Sequence, residues 1–392
     1  MRILKIISKI IIGIVLLIAT LLILQYVITP KYKFAEPKPF SGDYLYNPYA
    51  GTDSSKWVKA NFHVHTRSYA GVTNGSNNSN AFLDSIYRYF GYGIIGISDY
   101  QKINRYESSH KWFIPVYEHG FSYYKTHHLT LNARKVLWLD LPFYETVHNK
   151  QFMVNLLKKD PEVVLTIPHP NLRQAYTFDD FKHLSNYNCL EICNNDRQFT
   201  FFYDTILSSG HPVFIMADDD AHNLMKIRDG IHCFNLINTD LVRDSILHSI
   251  KTGRLVGVNF NVRPYTDNEA KRIALNELPS ISDISLTGDT LSVALSRKVL
   301  SFKFIGQNGV VMKSVSGTSN SSYIFRKEDS YIRTEVLCSD STIYYFNPVF
   351  RFNGKHPGND SPEIDVLRTW VLRSVVIIIL ILSLFLIRKF RK

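Results

Sequence analysis

The chain has 392 residues, 45% of them hydrophobic and 13% aromatic, enough apolar material for a large buried core, so disorder is not the default. Its formal charge of +11 sits at the ends: five basic residues precede position 34 (Arg2, Lys5, Lys9, Lys31, Lys33) and six follow position 366 (Arg368, Arg373, Arg388, Lys389, Arg391, Lys392), with no acidic residue in either stretch. The middle is formally neutral, which leaves no electrostatic footprint for a nucleic-acid polymer, and four cysteines are too few for a disulfide scaffold.

The first element is a membrane helix. Between Lys9 and Lys31 the chain is apolar, with one Gln and no charge, and its length of about 20 residues is what an α-helix needs to cross a bilayer. No small-x-small cleavage site precedes Pro30, so residues 1–33 read as an anchor rather than a cleaved signal. From 57 to 262, β-favouring runs (WVKANFHVH, YGIIGISDY, WFIPVYEHG, HHLTLN, VVLTIPHP, CLEICNN, PVFIMADDDAH, HCFNLIN) alternate with amphipathic stretches such as AFLDSIYRYFGY and DLVRDSILHSIKTGR, the latter with Gly253 as its stop. Strands alternating with helices imply parallel pairing, and this many repeats imply closure into a barrel. From 275 to 352 a period of two, broken by TGD, QNG and SDS, predicts a small antiparallel β-sandwich. Residues 353–366 read as a polar tether, and 368–392 as a second membrane helix with a basic tail. The uncharged run of this helix, Ser374–Ile387, is short for a span unless Arg373 snorkels toward the headgroups, with Trp370 at the interface. Basic flanks on both helices place both termini in the cytoplasm and everything between them outside it.

Metal-type side chains fall at the ends of the β runs. His63 and His65 close the first, Asp99 the second and Glu118 the third; His128 opens the fourth, His169 closes the fifth, and Asp220 with His222 ends the seventh. In a parallel barrel those ends meet on one rim. Divalent zinc, manganese and iron accept imidazole nitrogen and carboxylate oxygen. An H-x-H pair on a strand turns both rings to one face, and a glutamate can bridge two ions. His127 and His128 are neighbours, so only one faces the rim, and His119 beside Glu118 points away. Glu191 in LEICNN lies near the rim, and Arg67, Lys102, Arg173 and Arg197 follow in the loops, where an arginine can clamp a phosphate.

The order HxH, (S/T)D, E, H, HP, DxH, carried by FHVHT, GISDY, VYEHG, HHLTLN, IPHPN and ADDDAHN, resembles the PHP (polymerase and histidinol phosphatase) superfamily of metal-dependent phosphoesterases over residues 57 to 260. The resemblance implies a distorted (β/α)7 barrel with two or three divalent ions of zinc, manganese or iron. His63, His65, Glu118 and Asp220 would hold one ion, Glu118, His128 and His169 a second, and His222 would belong to a third. Two departures stand out. Asp99 is followed by Tyr100 where the family commonly has His, and SYAGVTNG supplies no further His after His65, so a two-ion site with Asp99 as an outer ligand is the expectation. The expected reaction is hydrolysis of a phosphate ester of a small molecule, with Asp220 or a rim His such as His222 moving the proton to the leaving oxygen; nucleotides, sugar phosphates and lipid head groups all fit. Other readings are an amidohydrolase-like metal hydrolase, which Glu118 and the D-x-H pair match less well, and a non-catalytic envelope binding module.

Overall fold

The β-favouring runs form strands that divide between two sheets instead of closing into a barrel. The computed structural model describes residues 2–73, 75–355 and 358–390. The strands of the middle region are β1 (Trp57–Asn61), β2 (Ile94–Ile95), β3 (Val116–His119), β4 (His128–Leu131), β5 (Val164–Ile167), β6 (Cys189–Asn194), β7 (Phe214–Asp218), β8 (Cys233–Asn238) and β9 (Leu255–Asn259). One sheet has the order β7-β6-β5-β4-β3; β3, β5, β6 and β7 run one way and β4 runs against them. The reversal of β4 has a simple cause. Only residues 120–127 connect it to β3, whereas a parallel crossover needs a dozen residues or more.

Strands β9, β8, β1 and β2 belong to the second sheet, where β8 pairs antiparallel with both β9 and β1, and only β1 and β2 are parallel. The two sheets pack face to face. A Cβ at Gly257 on β9 would come within 3.1 Å of Ala217 and 3.2 Å of Ile192 on the facing strands, so a side chain there would press the sheets apart by a few tenths of an ångström. At their edges the sheets meet through isolated bridges, Val64 with Ala221 on one seam and Tyr100 with Glu118 on the other. This seamed pair of sheets replaces the closed (β/α)7 barrel expected from the sequence.

The region 275–352 is β-rich, but it is not separate from what precedes it. Its strands are β10 (Ile281–Thr287), β11 (Thr290–Leu295), β12 (Ser301–Ile305), β13 (Val311–Ser316), β14 (Asn320–Ile324), β15 (Tyr331–Leu337), β16 (Ile343–Phe346) and β17 (Val349–Phe352). A three-stranded sheet, β10-β11-β14, shares one core with its neighbours: Leu291 and Val293 cluster with Phe302, Phe304 and Val336, and with Val256 and Val258 of β9. The other strands extend the second sheet, because β16 pairs antiparallel with β9. A buried ion pair adds a second tie. Arg333 on β15 grips Asp204, on the helix Thr200–Ser208, with Nε at 2.6 Å and Nη2 at 2.8 Å from its two oxygens. That bidentate geometry is the strong form of the contact.

The terminal helices Arg2–Ile28 and Val366–Phe390 are exposed, and both are long and apolar enough to cross a membrane. They are held together where they leave the body. Tyr32–Lys33 pairs antiparallel with Glu363–Ile364, Lys31 N donates to Thr369 Oγ1 at 2.9 Å, and Arg373 Nη2 donates to the carbonyl of Ile28 at 2.7 Å. Arg373 thus satisfies a carbonyl that the end of the first helix leaves open. The body grips the same helix end, with Phe143 N donating to Tyr26 Oη at 2.8 Å and Asn149 Nδ2 to Thr29 Oγ1 at 3.1 Å. All four cysteines are buried and unpaired.

If the ion pair ties the β-rich region to the rest, Asp204→Ala leaves the buried Arg333 guanidinium with Glu335 as its remaining carboxylate and lowers unfolding free energy by about 3 kcal/mol. Urea titration followed by tryptophan fluorescence should show one transition at lower midpoint; an unchanged midpoint contradicts the tie.

Candidate metal centre

The candidate site lies on the two seams. Beyond β1 the chain stays extended through His63, Val64 and His65. Val64 is fully buried and bridges Ala221, and the period of two turns both imidazoles to the other side. Across the seam Asp220 N donates to the carbonyl of His63 at 2.8 Å, and His65 N donates to that of Ala221 at 3.0 Å. The H-x-H and D-x-H segments are therefore locked side by side. Asp220 has a φ of +51° and His169 one of +28°, left-handed backbone that non-glycine residues adopt at a cost and that clusters at functional sites.

Four side chains converge here. His63 Nε2 is 3.2 Å from Asp220 Oδ1 and 3.5 Å from Glu118 Oε1; His65 Nε2 is 3.1 Å from Asp220 Oδ1 and 3.2 Å from Glu118 Oε2. Ligands about 2.0–2.2 Å from one ion stand roughly 3.0–3.5 Å from each other, which is this spacing. His63 Nε2 and Glu118 Oε2 are buried and lack a hydrogen-bond partner, as atoms reserved for a cation would. A second group shares the same glutamate: His127 Nδ1 is 2.5 Å and His169 Nε2 3.0 Å from Glu118 Oε1. Two groups of buried side chains, His63, His65, Glu118 and Asp220, and Glu118, His127 and His169, can thus each hold a metal ion.

The second group corrects the sequence expectation of His128. In the β3–β4 ladder Glu118 faces Leu129, so the residue on the same face as Glu118 is His127, two positions before Leu129. His128 pairs with His119 on the opposite face. Its Nε2 meets Tyr176 Oη at 3.2 Å, while His119 Nε2 meets the carbonyl of Leu139 at 2.9 Å. Asp99 is also corrected. Its oxygens accept from Thr66 N at 2.8 Å, from Thr66 Oγ1 and from Asn104 Nδ2 at 3.0 Å, so it holds the loop after His65 and belongs to neither group. His222 joins neither group: its Nδ1 bonds the Asp220 carbonyl at 2.7 Å, and about a quarter of its side chain is open to solvent. Among the described residues there is no third group of three such ligands. Tyr100, next to Asp99, stacks on the ring of His65 at 4.5 Å.

Around the ligands stands a supporting layer that sequence reading touched only in part. Glu191 Oε1 takes His63 Nδ1 at 2.7 Å and its Oε2 accepts from His169 N at 2.8 Å, the carboxylate–histidine arrangement that orients a ligand. Asp218 accepts from Phe62 N at 2.7 Å, and Asp219 from the backbone of Ile231, His232 and Cys233. In the DDD triplet only Asp220 reaches the centre. Burial opposes charge on His63 and His65, yet Asp220, Glu118 and, for His63, Glu191 prevail: His63 is held well above its ordinary value and His65 is raised to about 9. Burial likewise opposes ionisation of Glu118 and Asp220, but the surrounding imidazoles hold both well below the usual carboxylate range. At His127 and His222 burial wins, and both imidazoles are held below their ordinary value. Of the loop cations, Arg173 Nη1 donates to the Tyr123 carbonyl at 3.1 Å and Lys102 Nζ to Ser68 Oγ at 3.2 Å, while Arg67 and Arg197 are exposed.

No known protein family matches the chain by sequence. No curated protein matches it either. Among solved structures, the crystal structure of PsfC from Pseudomonas syringae PB-5123 is similar at a TM-score of 0.36 and 12% identity, over 56% of this chain and 96% of that one.

The β3–β4 register turns two adjacent histidines to opposite faces. Metal analysis of the full chain, purified without chelator and saturated with manganese or zinc, should show His127→Ala losing one ion and His128→Ala keeping the wild-type content. Glu191→Gln should weaken the affinity of the His63 group by about 10–100-fold. Equal metal loss from both histidine variants would contradict the assignment.

Proposed function

We propose that the chain is a membrane-anchored, metal-dependent phosphoesterase, with both termini in the cytoplasm and the body outside it. The single observation that carries this reading is Glu118, one buried carboxylate shared by two ligand groups, which is how paired-ion phosphoester sites are built. The order of the sequence motifs, which resembles the PHP superfamily, supports the same reading. His63, His65, Glu118 and Asp220 would hold the first ion and Glu118, His127 and His169 the second. When bound, such ions bring the pKa of water toward neutrality and polarise a phosphoryl oxygen.

The remaining work belongs to the chain's own residues. Glu191 fixes the tautomer of His63 and anchors the backbone of His169. Tyr100, kept protonated by burial and by Glu118, covers one face of His65. His222 is the partly exposed imidazole at the centre. Its Nδ1–H donates to the Asp220 carbonyl and burial holds the ring neutral, which leaves Nε2 to accept a proton from the attacking water. The membrane assignment rests on the two exposed apolar helices and the basic residues outside them, which positive-inside bias keeps in the cytoplasm.

The full chain in nanodiscs, loaded with manganese, should hydrolyse p-nitrophenyl phosphate, and chelator or the His63→Ala/His65→Ala pair should abolish turnover. His222→Ala should keep its metal and lose about 100- to 10,000-fold in kcat. Turnover that survives the double variant, or a metal-loaded wild type without turnover, sinks the proposal.

A further inference from the structure

The chain that links the two ligand groups is strongly aromatic. The connection from Glu118 to His127 carries Phe121 and Tyr123, and the segment after β4 carries Trp138, Phe143 and Tyr144, each more than half exposed. These two stretches are bound to one another. Phe121 N donates to Asp140 Oδ2 at 2.6 Å, Tyr123 N to the Pro142 carbonyl at 2.9 Å, and the rings of Tyr124 and Tyr144 stand 6.0 Å apart. An exposed apolar patch of this kind marks an interaction surface.

Its position says with what. Phe121 and Trp138 line a cavity of about 420 Å³ together with Val72, Lys125 and Tyr100, and Tyr100 is the ring stacked on His65. Tyr100 therefore stands between this cavity and His65 of the candidate centre. At the other end of the patch, Phe143 N donates to Tyr26 Oη, and Tyr26 lies two residues before the end of the apolar helix segment Ile6–Ile28. The patch is thus continuous from the cavity mouth to the end of a membrane helix, the depth at which aromatic side chains gather at a bilayer surface. Two cations stand among these rings: Lys125 Nζ is 5.7 Å from the Tyr100 ring and the Arg173 guanidinium 5.3 Å from that of Tyr123. Apolar rings with interspersed cations suit a molecule that is acyl at one end and phosphate at the other.

We infer that the phosphoester taken by this centre is carried by a lipid of the bilayer that the helices span. The inference rests on the phosphoesterase reading of the site. The acyl part stays among Phe121, Trp138 and Phe143, and the head group crosses the cavity past Lys125 and Tyr100 to the ligands. The step is hydrolysis. The oxygen of water bonds to phosphorus, the P–O bond to the lipid alcohol breaks, and a proton goes to the leaving oxygen.

The test uses the full chain with manganese in phosphatidylcholine nanodiscs, comparing phosphatidic acid in the disc with soluble glycerol 3-phosphate. The lipid ester should be favoured about tenfold or more in kcat/KM, and Phe121→Ser/Trp138→Ser should lower that ratio by a similar factor. Hydrolysis of both esters at a ratio the double variant does not move overturns the lipid assignment and leaves the phosphoesterase reading standing. Hydrolysis of neither removes that reading, and the surface is then judged separately. In a Trp370→Phe background, brominated phosphatidylcholine should quench the emission that Trp138→Phe removes. Absence of quenching, or a change in sedimentation of Trp138→Ser that reports a second protein chain on the patch, overturns the inference.

Discussion

Glu118 is a carboxylate without solvent contact, and a buried charge must be paired or bind a cation. Its strand is fixed on one side by the bridge to Tyr100 and on the other by β4, so the carboxylate cannot leave the core. One oxygen faces His127 and His169 and the other faces His65. Neutralising those imidazoles one at a time would leave negative charge in a low-dielectric setting. Divalent cations could satisfy both oxygens together with Asp220, and the seams between the sheets gather the candidate ligands from the ends of five strands, β1, β3, β4, β5 and β7.

The sequence showed the two histidines of the first group because an alternating strand prints its geometry directly. His63 and His65 straddle Val64 on extended chain, so their spacing turned both rings to one side, whereas Glu118 and Asp220 were placed by the resemblance in motif order. The choice between His127 and His128 depended on pairing, which spacing does not encode. It was nevertheless available in the eight residues between β3 and β4, too few for a parallel crossover and hence a sign of the antiparallel register that turns His127 inward. Asp99 was misread because a carboxylate beside a site can serve the backbone as readily as a metal, and only the fold brings Thr66 and Asn104 to it. Glu191 sat in a strand run without a pattern of its own, and its contact with His63 spans 128 positions.

Barrel closure failed for the same reason that His128 did. Alternating strand and helix runs imply parallel winding only if each connection crosses over, and the β8–β9 pair is antiparallel although a helix lies between its strands. The β-rich C-terminal region was legible as antiparallel, but its continuity with β9 was not, because ladder pairing across the Val256–Phe346 register leaves no local signature. The terminal helices were the clearest elements of all, since a long uncharged apolar run has few alternatives. What the sequence withheld was their docking: Tyr26 and Thr29 meet the body at Phe143 and Asn149, and so bring the aromatic loops around the metal centre beside the helix end.

The central claim is that Glu118 joins two ions. Electron paramagnetic resonance of the full chain saturated with manganese tests it most directly. The account predicts a spin-coupled pair, with the ions about 3.5–4 Å apart, that gives way to an uncoupled spectrum in Glu118→Gln. A wild-type spectrum of isolated ions at saturating manganese would contradict it.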